Sequence, residues 1–347
     1  MIKKLLSLLI LGCTFILLAC GCVKREVQSK MYFEFFDTES YIYSYRKDSK
    51  KKFEKNAAAV EELLGEYHKL FDIYYEYSGI NNIMTVNKNA GVAPVKVDQK
   101  IIDFLIYTKE IYALTNGKTN VAMGSVLKLW HECREDAKRD DPIYRIPTED
   151  ELLKASKHCS IDDVIIDEAA QTVYLRDPDM SLDVGAIGKG YATEKAAELL
   201  ISMGVTSYVL NIGGNLRAIG EKPSGDGWLT GITNPNKSSD GSYITKLTIK
   251  DTALVTSGDY VRYYTVDGIN YHHIIDPDTL MPAGYFSSIS VMTKDSALAD
   301  ALSTALFCMS YEEGLSLVNS IGGIEVIWVD LEYNVLTTPG TEIEKLV

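Results

Sequence analysis

The chain has 347 residues, 46% of them hydrophobic and 24% charged, which suits a globular protein of one large domain or two modest ones. Its 48 Asp and Glu against 35 Lys and Arg leave a formal charge of −13, and that acidic balance argues against a nucleic-acid partner, whose phosphates need cationic side chains. Cys22, Cys133, Cys159 and Cys308 show neither C-x-x-C pairs nor dense spacing, so no disulfide framework and no zinc site is expected.

The first residues, "MIKKLLSLLILGCTFILLAC", place two lysines before an apolar run and close on Leu17-Leu18-Ala19-Cys20. The run is about 15 residues long, short for a membrane span and right for a secretory signal. A cysteine directly after Leu-Leu-Ala resembles a bacterial lipobox, which implies that Cys20 is the lipidated first residue of the mature chain. Cys13 is the competing site, but it leaves a very short apolar region. Removing residues 1–19 takes away Lys3 and Lys4 and no acid, so the charge moves from −13 to −15. Residues 20–30 read as a polar tether, and 31–347 as the folded domain.

Apolar residues at helical spacing predict amphipathic helices in "NAAAVEELLGEYHKLFDIY" and "IIDFLIYTKEIYALTN". Between them "SGINNIMTVNKNAG" is rich in Asn and Gly and reads as a loop. A charged segment, "HECREDAKRDDPIYRIP", precedes a helix in "TEDELLKASKH", where Thr148 and Glu151 have capping-box spacing. From Asp162 onward short strands follow: "DVIID", "TVYLR", "SYVLNI", "WLTGIT", "YITKLTI", "YVRYYTV", "SSISVM" and "EVIWV". Helices over Lys189 to Met203, Ala297 to Met309 and near Tyr311 to Ser320 interrupt them. Turns such as "VDGIN" and "EAAQ" imply antiparallel hairpins. The expected class is α+β, a large and mostly antiparallel sheet flanked by helices.

Four constellations could carry chemistry. In "SLDVGAIGKGYATEKAAELL" a strand, a glycine-rich turn and a helix follow one another. Gly185, Gly188 and Gly190 permit close backbone approach, the helix N-terminus favours an anion, and Asp183 and Lys189 add opposite charges. The spacing is neither a Walker loop nor G-x-G-x-x-G, and a tight turn explains the glycines as well as a phosphate site does. In "NIGGNLRAIG", Asn211 and Asn215 flank Gly213-Gly214 and could hold a ligand or only the hairpin turn.

In "DSALADALSTALFCM", Asp300, Ser303 and Thr304 fall at i, i+3 and i+4, on one helix face. Such oxygens suit magnesium rather than zinc, the alternative being a solvated polar stripe, and an exposed, ligand-facing Asp300 is expected. Small neighbours, Ala297, Ala299, Ala301 and Ala305, leave room for close approach. In "ALVTSGDYVRYYTVDGINYHHIIDP", Tyr260 to Val266 and Ile269 to Ile275 read as a hairpin. Alternation along its second strand sends His272 and His273 to opposite faces, so at most one serves a site. Asp276 follows in the Asp-Pro-Asp-Thr turn, which puts a carboxylate beside an imidazole suited to acid/base work.

These motifs, in this order and from "FFDTESY" to "ADALSTAL", resemble the ApbE family of FAD:protein FMN transferases. The resemblance implies a magnesium-dependent enzyme that cleaves the FAD pyrophosphate, attaches FMN through a phosphoester to a threonine of an acceptor protein, and releases AMP. It implies metal ligation by the Ala186 carbonyl, Asp300 and Thr304, with Ser303 beside them. FAD contacts are implied at Phe36, Tyr77, Ala122, Met123, Gly124, Asp183, Lys189 and Ile274, and His273 becomes the proton acceptor. It also implies an extracytoplasmic redox protein as acceptor and a lipid anchor on the outer side of the cell membrane. Relatives often carry Asp-x-Thr-x-Gly where this chain has Asn120 to Gly124, and a methionine where it has Phe36. Two other readings of the same residues are an FAD pyrophosphatase yielding FMN and AMP, and a flavin-binding lipoprotein without chemistry.

Overall fold

In a computed structural model of the chain, residues 27–44, 48–236, 238, 241–341 and 343–345 are described. The strands are β1 (Gln28–Phe35), β2 (Thr38–Ser44), β3 (Val95–Lys96), β4 (Val164–Asp167), β5 (Thr172–Leu175), β6 (Ser207–Ile212), β7 (Asn215–Gly220), β8 (Trp228–Thr233), β9 (Tyr243–Ile249), β10 (Ala253–Gly258), β11 (Tyr263–Val266), β12 (Ile269–His272), β13 (Phe286–Thr293), β14 (Glu325–Asp330), β15 (Val335–Thr337) and β16 (Glu344–Lys345). The helices of four residues or more are α1 (Lys50–Phe71), α2 (Ile83–Lys88), α3 (Gln99–Leu114), α4 (Gly124–Asp136), α5 (Glu149–Ser156), α6 (Gly188–Ser202), α7 (Ser296–Phe307) and α8 (Tyr311–Ile321). Eight strands form one sheet in the order β1-β2-β6-β7-β10-β13-β14-β15, every neighbouring pair antiparallel. The α+β class and the large antiparallel sheet are therefore as expected.

Strand alternation sorts this sheet's side chains into two cores. On β14, Val326 and Trp328 pack with α7 and α8, whereas Ile327 and Val329 face the opposite side. β10 divides likewise, Ala253 and Val255 to the helices and Leu254 away from them. A smaller sheet, β16-β9-β8, covers that second side through Trp228, Ile232, Ile244, Leu247 and Ile249. Towards β2 and β6 the helix-side core continues under α1 and α6 with Ile42, Tyr208, Leu210 and Ile212. The sheet is thus a three-layer centre, and helices α6 and α7 lie side by side on it.

Several local expectations need correction. The stretch read as a loop at 78–91 contains α2, because Asn82 forms a capping box with Thr85. The charged segment from His131 begins inside helix α4, which runs from Gly124 to Asp136 with Val126, Trp130 and Cys133 buried. The charges on its other positions had masked that apolar stripe. Residues 28–30, placed in the tether, already belong to β1, and β1 and β2 were not recognised as strands. Residues 181–184 ahead of the glycine turn form no strand. The histidine hairpin is shorter than expected, Tyr263–Val266 against Ile269–His272. The capping box at Thr148 and Glu151 and the Gly213-Gly214 turn are as expected. Asn211 accepts from the Gly214 N–H at 3.1 Å, and Asn215 donates to the Ile212 carbonyl at 3.1 Å, so both asparagines hold the turn. Residues 1–26, with Cys20, lie outside the described residues.

One glycine decides how α6 and α7 meet. A Cβ on Gly190 would stand 2.3 Å from Asp300 Cβ and 2.4 Å from the Ser296 carbonyl. Gly190→Ala should therefore force the helices apart and destabilise the fold by about 1–3 kcal/mol, the usual cost of overpacking. Chemical denaturation of the two proteins measures this, and equal midpoints would show that the crossing is looser than described.

Candidate functional site

At the third position of α6 the Gly190 N–H has no partner within its own helix. It donates instead to Asp300 Oδ2 at 2.8 Å, so a carboxylate on α7 caps the start of α6, where the helix dipole favours negative charge. Lys189 Nζ lies 3.7 Å from the same oxygen. Asp300 is buried, 4% exposed, which corrects the expectation of an exposed polar stripe. Burial raises its carboxyl above the usual range, while Lys189 and the Gly190 N–H pull it back. Ser303 is fully buried and directed inward, donating to the Asp300 carbonyl at 2.9 Å and paired with Ser257 at 2.8 Å. Of the helix face read from sequence, Asp300 and the half-buried Thr304 remain to meet a ligand.

Those oxygens fit a hard divalent cation. Among the described residues, no protein donor reaches Asp300 Oδ1, the Thr304 hydroxyl or the Ala186 carbonyl. A carboxylate, a hydroxyl and a carbonyl make an all-oxygen set with places left for water and phosphate, the pattern of magnesium. A cation's charge would also reverse the desolvation penalty on Asp300.

The glycine turn packs against a second expected element. The Asp183 N–H donates to the Val121 carbonyl at 2.8 Å and the Gly124 N–H to the Ser181 carbonyl at 3.0 Å. A Cβ on Gly124 would stand 2.4 Å from that carbonyl, so glycine is required there. Asn120 caps this turn, accepting from the Ala122 N–H at 2.9 Å and donating to the Cys159 carbonyl at 3.0 Å. Ala122 and Met123 are buried and line the wall beside Asp183. Asp183 turns one oxygen to the Gly185 N–H at 2.9 Å. Burial raises its pKa, against the opposing effects of Gly185, His131 and Arg134.

Phe36 and Tyr77 meet through a residue that the sequence reading missed. His68 Nδ1 accepts the Phe36 N–H at 3.2 Å, and the Phe36 and Tyr77 rings both stand edge-on to its imidazole. The Tyr77 hydroxyl donates to Asp72 at 2.8 Å. Phe36 has φ 54°, a strained conformation for a bulky residue and one found preferentially at functional sites. His131 and Arg134, on α4 near Asp183, were also missed. Arg134 donates to His131 Nδ1 at 2.7 Å, and Tyr74 lies on the His131 ring at 5.3 Å. Only a fold can bring α1, α4 and residue 183 together.

The two histidines part as alternation requires. His272 is buried, and both its nitrogens are engaged. Nε2 lies 2.9 Å from the Ala283 carbonyl and must donate, and Nδ1 accepts the Ile274 N–H at 3.2 Å. Its ring is thus held neutral, with burial the main cause of a lowered pKa. His273 is exposed to solvent within a ring of protein. Its Nδ1 lies 3.2 Å from the Arg262 carbonyl and must donate, and among the described residues no donor reaches the lone pair of Nε2. Surrounding protein foremost, then Arg262, His272 and Lys189, depress its pKa well below the usual histidine range. The electrostatic neighbourhood of His273 thus reaches Lys189, which itself stands beside Asp300. Ile274 is buried directly behind it, its carbonyl accepting the Ala283 N–H at 3.0 Å.

Asp276 is placed differently from a proton-transfer group. Its carboxylate pairs with Lys118 at 2.9 Å and accepts the Asp278 N–H at 3.1 Å, and no hydrogen bond joins it to His273 among the described residues. Lys118 also reaches Asp278 at 2.8 Å, and the neighbouring Thr119 hydroxyl donates to the Ala301 carbonyl at 2.8 Å. Asp276 therefore fastens the turn after the histidines to the loop before Asn120 and to α7.

His272 generates a pH test. Its folded-state pKa lies below the unfolded value, so protonation below about pH 6.5 favours the unfolded chain and stability rises with pH through that window. The stability advantage of the wild type over His272→Gln should shrink as pH falls from 7 to 5, measured by urea unfolding at each pH. An unchanged difference would mean that the ring is not held neutral.

Comparison with known proteins places this arrangement. Residues 36–328 match the model of the ApbE family. A Treponema pallidum protein named FAD:protein FMN transferase is 32% identical over 273 residues, covering 74% of this chain and 73% of that protein. A Klebsiella pneumoniae protein of the same name is 29% identical, covering 79% and 81%. The crystal structure of the ApbE protein from Thermotoga maritima superposes with a TM-score of 0.78 at 26% identity, covering 90% of this chain and 97% of that one. That of the Pseudomonas stutzeri flavinyl transferase ApbE has a TM-score of 0.74 at 23% identity, over 90% and 94%. With the matched span running from Phe36 through the glycine turn and the histidine pair to Trp328, this chain belongs to the ApbE family.

Proposed function

We propose that this protein is a magnesium-dependent FAD:protein FMN transferase, which joins FMN to a threonine of an acceptor protein and releases AMP. The observation that carries the reading is the meeting of a buried Asp300, Lys189 and the start of α6, with Lys189 within electrostatic reach of His273. Ala186, Asp300 and Thr304 would hold magnesium, which supplies charge neutralisation for a pyrophosphate under attack. The N-terminus of α6 and Lys189 orient the same phosphates. Phe36, Tyr77, Ala122 to Gly124, Asp183 and Ile274 line the remainder of the FAD site.

His273 Nε2 takes the proton of the threonine hydroxyl as its oxygen attacks the phosphorus nearer riboflavin. The Oγ–P bond forms, the P–O bond to the other phosphate breaks, and AMP departs with the electron pair of that bond. The acceptor is a redox protein outside the cytoplasmic membrane, and Cys20 anchors the enzyme there through lipid. A Cys20→Ala chain should lose lipid labelling and leave the membrane fraction.

The purified mature protein, given FAD, magnesium and an acceptor, should leave flavin on one threonine after denaturation, read by mass spectrometry. Free FMN with an unlabelled acceptor, across several acceptors, would replace the transferase with an FAD pyrophosphatase. Asp300→Ala should reduce transfer on the order of 100-fold or more, since metal charge stabilisation is worth several kcal/mol. His273→Ala should reduce it by about 10²- to 10⁴-fold, the range of general-base catalysis, with His272→Ala losing stability instead. Comparable transfer rates for His273→Ala and wild type would remove His273 from the chemistry.

A further inference from the structure

We propose that Arg217, which no FAD-facing loop contains, is a positioning residue for the metal-binding carboxylate of Asp300 and acts on it through Glu194. The proposal rests on the magnesium reading above. Arg217 stands on β7 and is 5% exposed, and Glu194 on α6 is 9% exposed. Arg217 Nε donates to both Glu194 oxygens, at 3.0 and 3.3 Å, while its Nη1 reaches the Ala218 carbonyl and Asp251. The Glu194 oxygen nearer the guanidinium, Oε2, also accepts the N–H of Ser296 at 2.7 Å. Ser296 is the first residue of α7, so this N–H has no partner within its own helix.

The spacing gives the pair its meaning. Glu194 lies one helical turn after Gly190, and Ser296 one turn before Asp300. The antiparallel helices are therefore joined by two reciprocal rungs, Gly190 N–H to Asp300 Oδ2 at 2.8 Å and Ser296 N–H to Glu194 Oε2 at 2.7 Å. One rung carries the metal ligand; the other is locked from below by Arg217. Magnesium demands near-ideal octahedral geometry, so a small slide of α7 along α6 would misdirect Asp300 Oδ1 before it unfolded anything. A buried ion pair seldom adds stability over an apolar pair of the same size, and holding this register gives the charges a use.

The test compares full-length wild type with Arg217→Met by thermal melting in FAD without acceptor, as magnesium is titrated. The variant should fold, bind FAD in the absence of metal within twofold of wild type, and need about tenfold more magnesium for half of its metal-dependent rise in melting temperature. Arg217→Lys should recover part of that loss. Ile219→Ala, on the same strand and also buried, should lower the melting temperature without moving the magnesium midpoint. If Arg217→Met fails to fold, Glu194→Gln, which removes the buried counter-ion of the guanidinium and leaves it Asp251, must show the same weakened metal response. A wild-type midpoint in Arg217→Met, or an equal shift in Ile219→Ala, would make the pair a stability element only and overturn the proposal. If the wild type shows no magnesium response with FAD bound, the magnesium reading falls and takes this proposal with it.

Discussion

The contact between Gly190 and Asp300 is the constraint on which the site depends. It requires a helix start without a side chain and a buried carboxylate on the neighbouring helix. The cost of burying Asp300 is visible in its raised pKa, and an unpaired charge there would be a liability. The Gly190 N–H and Lys189 offset that cost. The surrounding elements serve this arrangement: β10 supports α7 through Ser257, and the loop carrying Lys118 and Thr119 ties α7 to the turn after the histidines.

Much of this was legible in the sequence because it lies in short segments. The glycines, Asp183 and Lys189 fall within eight residues, and Asp300 and Thr304 within one helical turn. The opposite facing of His272 and His273 needed only the period of a strand, although the strand itself stops at His272. What was illegible depends on contacts between distant segments. His68 sits on the polar side of an ordinary amphipathic helix, and nothing in that helix reveals that the Phe36 N–H will reach its ring. Helix α4 was hidden by its charged face, and Asp276 looked like a catalytic partner because its ion-pair partner, Lys118, lies more than 150 residues away.

The histidine pair also shows how backbone chemistry assigns roles to identical side chains. Each imidazole faces one carbonyl oxygen, which can only accept. At His272 the second nitrogen is filled by a main-chain N–H, and at His273 it is left open. The difference between a ring with both nitrogens engaged and one with a single engaged nitrogen is thus one hydrogen bond, set by the turn that carries Ile274.

The order of strands in the main sheet carries a consequence for how the chain assembles. Ser44, at the end of β2, pairs with Tyr208 on β6, so the hairpin made first must wait about 160 residues for its partner. Closing so long a loop precedes any reward from pairing, which slows folding and leaves strand edges unmet in the meantime. The outward residues of β1 include Met31 and Phe33, both exposed even in the finished fold. Such a hairpin is open to wrong partners until β6 arrives. Folding yield, more than final stability, should therefore be sensitive to changes along β1.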